Sequence, residues 1–141
     1  IYFGKAEVSS IDMINMAFGA QQAQANFFEP FAALVTEAPC FEGLVKPKRD
    51  FLAFPGKRIR AFSGHSFGGA VEGKNLMAGV LDEIAEFKTA KEMEMMGRRS
   101  IRAPKYSAEA LYDVIRSSVD SRFATGKVIL LSYPRYKGDY I

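Results

Sequence analysis

A short apolar segment that ends in two adjacent acids places the strongest constraint on how this chain can fold. The six residues from Leu76 to Leu81 carry no charge, and Asp82 and Glu83 follow directly. An apolar run of this length predicts a strand that is buried on both faces of a parallel sheet. The two acids then lie where that strand ends. The alternative is a strand that runs into a helix, with Asp and Glu in its first turn to complement the helix dipole.

The residues before this segment alternate between strand and helix patterns. We expect a strand in the second half of 8–18 and a helix from Ala20, which Pro30 should kink or split. Two short strands at 51–54 and 58–62 are predicted to join at Pro55-Gly56, and a flexible loop is predicted from Ser63 to Asn75. The apolar face of the predicted helix consists of Phe27, Phe31, Leu34 and Val35.

The residues after this segment continue the alternation. Helices are predicted at 87–96 and at 108–119, the second with Ser107 as its N-cap, and 127–131 is predicted to be a short buried strand. Strands that alternate with helices predict an α/β fold with a mainly parallel sheet.

Composition excludes several classes of protein. At 141 residues, with 48% hydrophobic and 25% charged, the chain is one domain's worth and can bury a core. One cysteine, Cys40, and one histidine, His65, cannot build a disulfide or a structural zinc site, so any metal would be held by oxygen. The net charge of +3 is too balanced to indicate a polyanion partner. Without an apolar span or a signal peptide, we expect a soluble intracellular protein.

A serine motif precedes the apolar segment. Gly64-His65-Ser66-Phe67-Gly68 fits the G-x-S-x-G nucleophile elbow of serine α/β-hydrolases. That chemistry needs a histidine later in the chain to accept the serine proton, and the single histidine is His65 itself. A hydrolase therefore remains a remote alternative, which would need a downstream segment to supply the histidine.

A second motif overlaps the first. Gly68 to Lys74 satisfies G-x-x-x-x-G-K, but Asn75 stands where Ser or Thr should meet Mg²⁺. A phosphate loop must also open a helix, whereas Lys74 is followed at once by the apolar segment. We interpret this match as a decoy.

The third interpretation takes 76–83 as a Walker B strand, in which aliphatic residues precede an Asp-Glu pair. Ser132 follows the later strand 127–131, where such ATPases place a residue that senses the γ-phosphate. The surrounding blocks IDMINMAFGAQQAQANFFEPF (11–31), SGHS...EGKN...VLDEIAEF (63–87) and SSVDSRFATGKVILLSYPR (117–135) support this interpretation. With them, the chain resembles the ATPase domain of the large terminase subunit, the DNA-packaging motor of tailed bacteriophages.

The resemblance implies a RecA-like P-loop NTPase fold of the ASCE type, a three-layer sandwich, and assigns roles to four residues. Asp82 would bind Mg²⁺, through water, beside ATP, and Glu83 would activate the attacking water. Ser132 would couple hydrolysis to movement. Lys74 would be the trans-acting basic residue, although lysine lacks the planar fork of arginine. Arg60 and Arg122 remain unassigned alternatives.

The resemblance also implies the surroundings of the domain. Family members carry a Walker A loop before the first block and a nuclease domain after the last, so we expect 1–141 to be a partial ATPase domain, incomplete at its N-terminus and inactive alone. The implied cofactors are ATP and Mg²⁺. The implied partners are double-stranded DNA, the portal protein, the small terminase subunit and further copies in a ring, in the host cytoplasm. The alternatives are another P-loop motor, such as a helicase, or a nonenzymatic DNA-binding or assembly module.

Overall fold

The computed structural model describes residues 10–65, 71, 73–96 and 106–133. The strands are β1 Ile11–Ala17, β2 Lys46–Pro47, β3 Phe51–Phe54, β4 Ile59–His65, β5 Leu76–Asp82 and β6 Lys127–Leu131. The helices are α1 Ala20–Gln22, a π-helical segment Ala23–Phe28, α2 Glu29–Glu37, α3 Ala90–Met96 and α4 Ala108–Asp120. Single 3₁₀ turns occur at Pro39–Phe41, Pro55–Lys57 and Ile84–Glu86. None of the helices in these residues is long and apolar enough to cross a membrane.

The strands form one sheet in the order β2-β3-β4-β1-β5-β6. Strands β4, β1, β5 and β6 run parallel to one another, while β3 pairs antiparallel with β4 and β2 pairs antiparallel with β3 at the outside of the sheet. The predicted mainly parallel sheet is therefore confirmed. Because the four parallel strands point the same way, the segments that follow them emerge together beyond the C-terminal ends of these strands. We call this boundary of the sheet the carboxyl edge.

Helix α4 covers one face of the sheet. Ser107 caps it, with the Ser107 hydroxyl accepting a hydrogen bond from the Ala110 N–H at 3.2 Å, as predicted. The apolar face of α4 packs against β5 so closely that a Cβ at Gly79 would collide with Cγ2 of Ile115. A glycine is thus required there by close approach. The side chains of α4 that are buried in this core are Ala108, Leu111, Ile115 and Val119.

The helical run 20–37 covers β1 and β4 on the opposite face. Its π-helical segment ends where the Glu29 N–H donates to the Gln24 carbonyl, five residues back, and Pro30 follows within the first turn of α2. The backbone of Phe28 and Glu29 is helical, so the run is not split at Pro30, although its hydrogen bonding changes there from the π to the α pattern. The predicted apolar face is wrong at Leu34, which is 71% exposed, whereas Phe28 is buried. A π turn holds more residues than an α turn and so rotates the faces that flank it.

Two further predictions are corrected. β4 continues to His65, so the predicted loop from Ser63 begins later. β6 was predicted to be buried, but Ile129 and Leu131 are 44% and 49% exposed. The reason is that β6 is an edge strand among the described residues, and the helical run 20–37 packs on β4 and β1 instead.

Candidate functional site

The carboxyl edge brings together polar residues from four separate parts of the chain. Gln22 follows β1, His65 ends β4, Asp82 and Glu83 lie at the end of β5, and Ser132 follows β6. Ligands of open α/β sheets bind outside the carboxyl ends of the strands. The structure thus places three residues predicted from sequence, Asp82, Glu83 and Ser132, at the edge where a ligand is expected.

The backbone turns sharply at Glu83. Its φ of 51° and ψ of 48° lie in the left-handed region, and a single 3₁₀ turn, Ile84–Glu86, follows, with Ile84 fully buried. An L-residue in this region costs about 1–2 kcal/mol, and such residues cluster at functional sites. No helix begins at the two acids, since the next one, α3, starts at Ala90. The helix-dipole interpretation of Asp82 and Glu83 is therefore wrong.

Ser132 contacts the turn that carries Glu83. Its hydroxyl oxygen accepts a hydrogen bond from the Ala85 N–H at 3.1 Å. In the strand register, Asp82 pairs with Leu131, the residue before Ser132. The ends of β5 and β6 are thereby joined by both the sheet and this hydrogen bond.

The Glu83 carboxylate has a partner that the sequence patterns did not single out. The side-chain amide of Gln22 donates a hydrogen bond to Oε2 of Glu83, across a separation of 61 residues. Both residues are half-buried. The available signal was positional: Gln22 comes soon after a strand that Gly19 terminates, and so lies at the carboxyl edge.

Asp82 carries an oxygen donor suited to Mg²⁺. Leu81 is buried in the core under α4, so by the alternation of the strand Asp82 faces the opposite side of the sheet. Within the described residues its carboxylate has no hydrogen-bond or ion-pair partner. No group of three or more acidic, histidine or cysteine side chains that could hold a metal occurs in that part of the chain. A single carboxylate still fits Mg²⁺, which commonly takes one or two carboxylates plus phosphate oxygens and water.

Lys74 lies at the other end of the sheet. It precedes β5, and its Nζ sits 3.7 Å from the centroid of the Phe62 ring. Burial lowers the pKa of Lys74 below 10.5, with the positive charge of Arg60 adding to the effect and the negative charge of Asp12 opposing it. The structure therefore does not bring Lys74 together with Asp82 and Glu83 within one chain.

Arg60 is held at this same amino end. Its guanidinium forks onto the fully buried Asp12, with Nε 2.8 Å from Oδ1 and Nη2 2.9 Å from Oδ2. The Asn75 N–H donates to Oδ2 at 3.1 Å. Paired and hydrogen-bonded in this way, a buried carboxylate is tolerated in a core. Arg60 thus joins β4 to β1, while Arg122, the other unassigned arginine, is exposed beyond α4.

The structure bears on only one of the two competing motifs, the serine elbow and the G-x-x-x-x-G-K match. Ser66 and the glycines Gly68 and Gly69 lie outside the described residues, so the structure does not bear on the serine elbow. Lys74 and Asn75 lead directly into strand β5 and open no helix. The expectation that no helix follows Lys74 is confirmed.

Comparison of the fold with solved structures finds a clear similarity. The crystal structure of the HK97 bacteriophage large terminase matches over 94% of this chain with a TM-score of 0.64 and 14% sequence identity. The match covers 24% of the terminase chain, so the present chain spans about a quarter of that protein. At this identity the similarity concerns the fold alone, which is a RecA-like P-loop NTPase fold with a terminase-like sheet.

Sequence comparison gives a family. No curated protein matches the chain at a significant level. A family model matches residues 1–141, the whole chain, and its description is "Uncharacterized protein MJ0330, N-terminal P-loop domain". Together with the mainly parallel sheet and the acids at its carboxyl edge, this match shows that the chain belongs to the MJ0330 N-terminal P-loop domain family.

Proposed function

We propose that this chain is part of an ATPase motor of the phage large-terminase type, which couples ATP hydrolysis to the packaging of double-stranded DNA into procapsids. P-loop domains in general bind nucleoside triphosphates, usually with Mg²⁺, and hydrolyse them. The observation that carries the proposal is the placement of Glu83 at the carboxyl edge, directly after β5 and hydrogen-bonded to Gln22. The similarity to the HK97 large terminase supports the choice of motor.

Each residue of the site has a role in this proposal. Asp82 binds Mg²⁺, which when present neutralises charge on the phosphates. Glu83 accepts a hydrogen bond from the attacking water and orients it. Ser132 couples the site to movement, because its hydroxyl contacts the turn after Glu83. Lys74 lies at the opposite end of the sheet and in this proposal acts on a nucleotide of a neighbouring copy in the ring.

The loop that cradles the phosphates is supplied, in this proposal, by a part of the protein outside residues 1–141. Within the described residues, no glycine-rich loop opens a helix. Supporting the proposal, β6 presents an apolar edge, with Ile129, Leu130 and Leu131 between 37% and 49% exposed. An additional parallel strand beside β6 would bury these side chains and end next to Ser132.

The full-length protein provides the test. We expect Glu83→Gln to keep ATP binding and to lower turnover by about 10²- to 10⁴-fold, because a positioned carboxylate is replaced by a neutral group. Glu37→Gln, at an exposed position at the end of α2, is the matched control and should hydrolyse ATP normally. Near-normal turnover by the Glu83→Gln protein would contradict the assignment of Glu83 as the residue that activates water.

The effect of ATP hydrolysis on duplex DNA distinguishes a packaging motor from the alternative functions. ATP-driven movement along duplex DNA without strand separation supports a packaging motor. Unwinding of the duplex would instead identify a helicase. Nucleotide binding with no turnover in the wild-type protein would identify a nonenzymatic module. The expected partners for the packaging reaction are the portal protein and the small terminase subunit, with the motor assembled as a ring in the host cell.

A further inference from the structure

We propose that Gln22 is a positioning residue, whose side-chain amide holds the Glu83 carboxylate in the orientation that activates water. The inference rests on the proposed function, since it deepens the role given to Glu83. It starts from the hydrogen bond between Nε2 of Gln22 and Oε2 of Glu83, which links the segment after β1 to the segment after β5.

The backbone that carries Gln22 is fixed close to the site. Gly19 ends β1, and the Ala23 N–H donates to the Gly19 carbonyl at 3.0 Å, closing the first helical turn. Ala23 is only 2% exposed, so the turn that contains Gln22 is anchored in the interior. A side chain on such a support is held more precisely than one on a free loop.

A second contact ties the same two segments together. Phe18 lies just before Gly19, and Phe87 lies just after the Ile84–Glu86 turn. Their rings meet edge to face, with centroids 6.0 Å apart, and Phe87 is buried. This contact joins the turn after β1 to the turn after β5. The Gln22–Glu83 hydrogen bond therefore forms between supports that are already held in place.

The chemistry of the pair suits a positioning role. A carboxylate accepts several hydrogen bonds, so the bond to Oε2 leaves Oε1 able to accept one from water. Glutamine carries no charge and therefore orients the carboxylate without neutralising it, as an arginine or lysine would. With its backbone in the left-handed region, Glu83 departs from the regular path of its strand. The side-chain amide of Gln22 then fixes the orientation of the carboxylate.

The experiment uses the full-length protein and steady-state ATP hydrolysis. Gln22→Met keeps the length of the side chain but removes the donor, and Gln22→Asn keeps the donor but shortens its reach. We expect both to lower kcat, by up to about 100-fold for a displaced catalytic group, with KM for ATP and the thermal midpoint close to wild type. Gln21→Met, at the exposed neighbouring position, is the control and should leave kcat unchanged.

A double variant separates positioning from a structural role. If Gln22 acts through Glu83, adding Gln22→Met to Glu83→Gln should lower kcat no further than Glu83→Gln alone. If the two substitutions lower kcat multiplicatively, the inference is overturned. It is also overturned if the loss of kcat accompanies a lowered thermal midpoint. A Gln22→Met protein with wild-type kcat while Glu83→Gln is inactive would overturn it as well. If Glu83→Gln itself turns over normally, the proposed function fails instead.

Discussion

The hydroxyl of Ser132 accepts a hydrogen bond from the backbone N–H of Ala85, at a distance of 3.1 Å. This bond joins the end of β6 to the 3₁₀ turn that directly follows Glu83. A displacement of Ser132 would therefore be transmitted to the turn next to the proposed water-activating carboxylate. The contact gives a physical basis for assigning a coupling role to Ser132.

We expect Ser132→Ala to separate hydrolysis from movement. The substitution removes the acceptor of the Ala85 N–H but leaves Asp82 and Glu83 in place, so ATP hydrolysis should be partly retained while DNA packaging is lost. Both rates can be measured on the same full-length preparation. Ser121→Ala is the matched control, because the Ser121 hydroxyl donates to the carbonyl of Ser118 within its own helix end. Equal losses of hydrolysis and packaging would argue against coupling.

Gly79→Ala should destabilise the protein by about 1–3 kcal/mol, the usual cost of overpacking a core. The added Cβ would collide with Cγ2 of Ile115, so the Ile115 side chain or the helix that carries it would have to shift. Ile115→Ala removes the colliding atom and also destabilises the protein by itself. The prediction is that the double variant is less destabilised than the sum of the two single changes, as measured by chemical denaturation. Strict additivity would show that the Ile115 side chain does not limit the space at position 79.

Lys74 should make stability depend on pH in the alkaline range. Its pKa is lowered in the folded protein, chiefly by burial, and returns to about 10.5 on unfolding. Between these two values the unfolded chain binds more protons, so the free energy of unfolding rises with pH. We therefore expect the wild-type protein to gain stability relative to Lys74→Met as pH increases through this interval. Lys57→Met, on the exposed turn after β3, serves as the reference. A constant or falling difference would contradict the prediction.

The left-handed backbone at Glu83 should appear as a measurable strain. Replacing Glu83 by Ala and by Gly removes the same carboxylate, but only Gly adopts this backbone without steric cost. We expect Glu83→Gly to be more stable than Glu83→Ala by about 1 kcal/mol in equilibrium unfolding. The same comparison at Arg58, whose φ is 52°, should give a difference of the same sign. A Glu83→Ala protein as stable as Glu83→Gly would show that the backbone relaxes at no cost.

The features that could be predicted from sequence are those with a local signal. The run from Leu76 to Leu81 is buried or half-buried as a strand because apolar residues without a polar face need cover on both sides. The α4 face was predicted because its residues repeat with the helical period. The change of hydrogen bonding near Pro30 fits the missing N–H of proline.

The features that were not predicted depend on tertiary structure. The helical period predicts Leu34 on the apolar face, but a π-helical segment earlier in the run changes that period, and no residue type signals such a segment. The exposure of β6 depends on what lies beside it in space. The bond between Gln22 and Glu83 joins residues 61 positions apart, so neither segment alone indicates it.

The central position of β1 in the sheet also affects how the chain folds while it is being synthesised. Ribosomes synthesise β1 before both of its neighbours, although Ile11 pairs with Ile59 and Asp12 with Leu76. At about 5–20 residues per second, β4 begins to emerge roughly 2–10 seconds after β1. During that time the apolar side chains of β1 have no sheet to join, and pairing between such distant segments is slow in itself. The nascent chain should therefore remain sensitive to protease, and a substrate for chaperones that bind apolar strands, until β5 has left the exit tunnel.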